Sequence, residues 1–183
     1  MTNTKQIQRR IVNLLSQKLR GEEIEIQEEW NVAKNRTDDF DRNSLYAPRV
    51  DIAISPFMIN YITDEEKRKL DTAFESNKVL IKKIIENGEK FEQFRYNKNP
   101  RCLIAVEVET SGSKKHHVGD ITNSSILGKI GLIVPTNVKS YTTFKRIMAY
   151  LDFAQRNNKI NNNVFKNIIL IKSEELIKLL KGA

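Results

Sequence analysis

Three acidic side chains have the types and spacing for metal chemistry. Asp51 lies in the run Arg49-Val50-Asp51-Ile52-Ala53-Ile54, and Glu107-Val108-Glu109 closes the apolar run 101–109. On an extended strand, residues two apart project to the same side, about 6–7 Å apart along the chain. Glu107 and Glu109 therefore share a side, and Asp51 joins them if the two strands pair. Three carboxylates converging in a partly buried place repel and raise one another's pKa. A hard cation resolves that conflict. Oxygen ligands with spare water positions suit Mg2+ or Mn2+. Competing chemistries are scarce. His116 and His117 are the only histidines and are adjacent. They cannot share one face of a helix or strand, which disfavours a two-histidine metal site. Cys102 is the single cysteine. It excludes an internal disulfide framework and a cysteine-based zinc site, and at the start of an apolar strand it reads as buried and inert.

These residues need elements to position them. Ile7, Ile11, Leu14, Leu15 and Leu19 recur at helical spacing over 5–19, with Thr2, Asn3 or Thr4 to cap the start and Gly21 past the end. Residues 22–32 switch to period two. Ile24, Ile26, Trp30 and Val32 share the apolar face of this first strand, and Glu28 interrupts it. A polar stretch over 33–48 follows, long for a plain hairpin loop. The second strand is 49–56, ended by Pro56. Residues 64–94 read as a long helical insertion with acids at its start, divided or kinked at Gly88. The third strand, 101–109, is apolar on both faces, as in a central strand. A short helix over 118–129 carries small residues, Gly119, Ser124 and Ser125, against which something packs. A fourth strand spans 130–134, a helix 141–156, a fifth strand 164–171, and a last helix runs from Ser173 through Leu180. Strand, helix, strand at this spacing implies a parallel crossover. The expected fold is α/β with a mixed central sheet, in the order α, β, β, insertion, β, α, β, α, β, α.

Length and charge bound the reading further. A chain of 183 residues fits one domain, 1–183. With 39% hydrophobic and 30% charged residues, a packed core is expected and bulk disorder is not. No apolar run approaches the roughly 18 residues of a membrane span, and the polar start MTNTKQIQRR has no signal-peptide core, so a cytoplasmic location and no membrane are expected. The net charge of +8 is unevenly spread: +5 over 1–20, −5 over 21–43, +2 over 44–135 and +6 over 136–183. A basic balance favours polyanions, although solvated charged faces give the same composition.

At this point the chain resembles a family. An αβββαβ order with an Asp on the second strand and an acidic triplet on the third resembles the PD-(D/E)xK nuclease superfamily, through Pro48-Arg49-Val50-Asp51 and Glu107-Val108-Glu109. The resemblance covers a core of about 5–135. It leaves a helical insertion at about 57–100 and an α-β-α extension at 136–183. Two departures stand out. Pro48 precedes Asp51 by three residues, and Glu109 occupies the place of the family's Lys, as in some type II restriction endonucleases. The resemblance implies metal-assisted DNA hydrolysis, with Asp51, Glu107 and the Val108 carbonyl holding Mg2+ or Mn2+. Glu28 is a further candidate ligand. Glu109 would orient water, or Lys114, Lys115 or Lys129 would supply the missing ammonium. Arg49, Lys114, Lys115, His116, His117 and Lys129 are the candidate nucleic-acid contacts. Tyr46 also flanks the second strand, and Arg9, Arg10, Lys18 and Arg20 form a basic face on the first helix. A chain this small cuts two strands as a homodimer. A repair or junction-cleaving nuclease, and an inactive nuclease-like DNA-binding or partner subunit, are the alternatives.

Overall fold

The computed structural model describes residues 4–21, 24–31, 48–58, 63–161 and 164–182. The polar stretch 33–47 with Tyr46, the caps Thr2 and Asn3, and Val32 lie outside the described residues. The elements run α1 (Thr4–Lys18), β1 (Ile26–Asn31), β2 (Arg49–Ile54), α2 (Asp64–Ser76), α3 (Lys78–Asn87), β3 (Glu89–Lys90), β4 (Cys102–Glu109), α4 (Lys114–Leu127), β5 (Gly128–Pro135), α5 (Val138–Arg156), β6 (Ile168–Leu170) and α6 (Ser173–Gly182). The strands form one mixed, open sheet in the order β1-β2-β4-β5-β6-β3. β1 with β2, β2 with β4 and β3 with β6 are antiparallel; β4 with β5 and β5 with β6 are parallel. The α/β class and the mixed sheet agree with the sequence patterning.

Alternation along β4 sets up two faces. Ile104, Val106 and Val108 turn to the side covered by α1, α2, α3 and α6, where Ile11, Leu15, Leu70, Phe74, Ile81, Leu176 and Leu180 complete the larger core. On the other face α4 and α5 bring Ile121, Phe144, Met148 and Leu151 against Ile133, Ile168 and Leu170. Burial of these apolar side chains is the main force holding the layers together. α4 approaches β5 closely. A Cβ on Gly131 would stand 2.9 Å from the Ser124 backbone, which explains the small residues read from the sequence. Among the described residues, no helix is long and apolar enough to cross a membrane.

Several elements differ from their expected form. The insertion divides at Asn77 rather than at Gly88. Asn77 is 3% exposed, and its amide bonds the Ala73 and Arg20 carbonyls while its oxygen accepts from the Arg20 N–H. That side chain ties the turn between α2 and α3 to the end of α1. Gly88 instead ends α3, and the chain continues into the two-residue edge strand β3. The fifth predicted strand shortens to Ile168–Leu170; before it the backbone turns left-handed at Phe165, with φ of 67°, and the Phe165 N–H bonds the Ser125 hydroxyl rather than a neighbouring strand. α4 begins at Lys114, four residues early, because Ser113 caps it by accepting from the His116 N–H.

Candidate functional site

The site is built where β2 and β4 part. Their register runs Ile54↔Ile104, Ala53↔Ala105, Ile52↔Val106. One step further it sets Asp51 against Glu107, and there side chains replace the backbone ladder. Asp51 Oδ2 accepts from the Val108 N–H at 2.8 Å, and Glu107 Oε2 lies 3.4 Å from the Asp51 N–H. Buried Gln8 of α1 donates to the Asp51 carbonyl at 2.9 Å. Each carboxylate is thus fixed by the neighbouring strand's backbone. Beyond Glu109, the chain is anchored at Thr110. Its carbonyl accepts from Asn137 and Ser140, and its hydroxyl meets those of Thr4 and Thr136.

The first turns of α4 close the other side. Lys115, His116, Gly119, Asp120 and Asn123 share a cleft of about 530 Å³ with Glu29, Asp51, Glu107 and Glu109. His116 Nε2 stands 3.1 Å from Glu109 Oε2 and 3.6 Å from Asp120 Oδ1. Asp120 is 7% exposed, and its Oδ2 is buried with no hydrogen-bond partner.

The electrostatics follow from this crowding. Burial pushes the Glu107 carboxyl well above its usual range, and the charges of Asp51, Asp120 and Glu109 add to the push. Burial also raises Asp51, partly offset by the hydrogen bond from Val108. Asp120 rises to about 7 through burial, although His116 opposes the shift. A set of acids held this far from their ordinary state is poised to gain from a cation.

The predicted residues fall into three groups. Asp51, Glu107, Val108, Glu109, Arg49, Lys115 and His116 all line this cleft. Lys114 is exposed at the start of α4, outside it. Glu28, His117 and Lys129 are placed elsewhere. Glu28 is exposed on β1. Glu28 keeps its register opposite Ile52 on the edge strand, whereas the backbone turns left-handed at Glu29, with φ of 50°, and Trp30 packs in a different cluster from Ile26. Glu29 lines the cleft instead, paired with Arg49 at 3.5 Å. His117 is buried rather than facing solvent with the lysines. Its Nδ1–H donates to the Ser113 carbonyl at 2.7 Å and its ring packs edge-on against Phe144. Lys129 follows Gly128, which pairs with Cys102 at the far end of β4. Its ammonium bonds Asp71 at 2.8 Å and lies over Phe74, so it is not the ammonium of this site. Trp30 is core, stacked on Phe57.

Sequence reasoning missed Asp120. Its signal was the spacing to His116, since residues four apart lie on one helix face. Against this geometry, comparison with known protein families, curated proteins and solved structures finds no match to this chain.

Proposed function

We propose that this cleft hydrolyses phosphodiester bonds of DNA, with Mg2+ or Mn2+ held by Asp51, Glu107 and the Val108 carbonyl. The observation that carries the reading is the burial of Glu107 among three other carboxylates at the parting of β2 and β4. Such a cluster is stable as a charged group only with a cation in it. The donor set is rich in carboxylate oxygen, which fits a hard ion. The element order α1-β1-β2-β4-α4-β5, antiparallel and then parallel, also suits a PD-(D/E)xK core.

When bound, the cation supplies an acidified water and neutralises charge on the phosphate. The chain's own residues do the rest. Asp51 and Glu107 hold their orientation through the backbone N–H groups of β2 and β4. Glu109, on the α4 side, orients the attacking water. Arg49 and Lys115 at the cleft carry positive charge toward the phosphate backbone. One such site per chain leads to a homodimer for cutting both strands.

The test is plasmid cleavage by purified protein with Mg2+ or Mn2+, beside Asp51→Ala and Glu107→Ala variants checked for folding by circular dichroism. The expected result is cleavage by the wild type and none by either variant. Cleavage surviving both substitutions overturns the assignment. DNA binding without cutting, across several metals and substrates, favours a binding or partner subunit. Discrete fragments mark a sequence-specific enzyme, and general degradation marks a different nuclease.

A further inference from the structure

We infer that Glu109, His116 and Asp120 form a second metal site, selective for a borderline divalent ion such as Zn2+ or Co2+. The three ligand atoms lie within 4.8 Å of one another. Two of the separations, 3.1 and 3.6 Å, bracket the roughly 3.4 Å edge of a tetrahedron of donors about 2.1 Å from a metal. A small approach of Asp120 to Glu109 completes the set.

Independent features point to a ligand here. Asp120 Oδ2 is a buried acceptor without a hydrogen-bond partner, on a residue only 7% exposed that lines the cleft. An unmet acceptor in such a place costs on the order of 1–3 kcal/mol and calls for an occupant. Gly112 leaves room for the imidazole to reach Glu109. A Cβ there would stand 3.0 Å from His116 Cδ2 and 3.5 Å from Glu109 Oε2. The donor chemistry also separates this set from the neighbouring one. Asp51 and Glu107 offer only oxygen, whereas His116 adds an imidazole nitrogen, which shifts preference toward transition ions. Three protein ligands leave a coordination position open to water. Where the nuclease reading of the cleft holds, on which this clause alone rests, Glu109 orients the attacking water as a ligand of this second ion.

The experiment measures binding by the full chain rather than cleavage. Metal-stripped protein is titrated with ZnCl2 by calorimetry and with CoCl2 by visible absorption. The expected result is about one Zn2+ per chain at this site and cobalt d–d bands. His116→Ala and Asp120→Asn should each weaken binding at least tenfold, and Asp51→Ala should change it less than about threefold. His116 is exposed and Asn matches Asp in shape, so both variants keep the fold. Zn2+ affinity unchanged in His116→Ala overturns the inference, as does loss of binding in Asp51→Ala alone. A protein that binds Zn2+ through the triad and never cuts DNA removes only the nuclease reading. One that cuts with Mg2+ yet binds no Zn2+ through the triad removes only this inference.

Discussion

Replacing Asp120 with Asn removes a charge from the most crowded part of the cleft and keeps the shape of the side chain. In the fold the Asp120 pKa stands near 7, against 3.8 for an unburied aspartate. A folded-state value above the unfolded one means that the fold prefers the neutral acid. That preference contributes stability fully below about pH 4, and the contribution is lost as pH rises through about 7. Roughly three units at about 1.4 kcal/mol each give about 4 kcal/mol. Water in an open cleft screens part of this, leaving on the order of 2–3 kcal/mol. At pH 8 with EDTA, Asp120→Asn should therefore melt about 5–10 °C above the wild type, since 1 kcal/mol moves Tm by about 2–4 °C in a chain of this size. The gap should shrink toward pH 4, and a saturating divalent cation should remove it by stabilising the wild type. Thermal melts followed by circular dichroism across pH 4–8 read all three effects. A variant no more stable than wild type at pH 8 would refute the reasoning. A gap as wide at pH 4 would show that packing, not charge, sets it.

Other perturbations test the frame around the site. Asn77→Ala should cost about 2–4 kcal/mol in urea unfolding, because it strands the Arg20 and Ala73 backbone groups that the side chain satisfies. Gly131→Ala should lower stability by about 1–3 kcal/mol, since its Cβ would run into Ile168 Cδ1 and stand 2.9 Å from the Ser124 backbone. Lys115→Ala should leave the melting curve in place. It should weaken DNA binding across sequences and reduce the salt slope by about one, as measured by fluorescence anisotropy at several ionic strengths.

Strong periodicity made most of the architecture legible. The stripe of α1, the double-sided apolar run of β4 and the carboxylates at its end all follow from patterns a single chain displays. The parallel step from β4 to β5 follows from the helix between them. What escaped depends on backbone detail. Nothing in the letters at Glu29 marks a left-handed residue, because Gly or Asn usually fills that role. The alternation rule therefore set Ile26, Glu28 and Trp30 on one face, whereas Ile26 and Trp30 pack in different clusters. The edge strand Glu89–Lys90 is too short to show a period. Asp120 was hidden by its helix, whose small residues suggested close packing alone. Lys129 was misjudged as a partner for the acids because charge was weighed without strand direction. Once β4 and β5 run parallel, a residue at the start of β5 lies a full strand away from the end of β4.

The glutamate at position 109 is the feature that most shapes the site's electrostatics. A lysine there would place an ammonium among Asp51, Glu107 and Asp120 and draw their pKa values down. Glutamate does the opposite and adds to the charge that raises all three. The chain meets this with one imidazole, His116, which reaches Glu109 and Asp120 together. One imidazole does not balance four carboxylates. Under the proposed metal site, a bound cation supplies the remaining positive charge. Ammonium groups at the cleft, such as that of Lys115, are solvated and screened. A small ion inside the cleft acts at contact distance, where its field is strongest. The glutamate therefore makes sense as a ligand more readily than as a base. A ligand gains from every carboxylate that a shared cation neutralises.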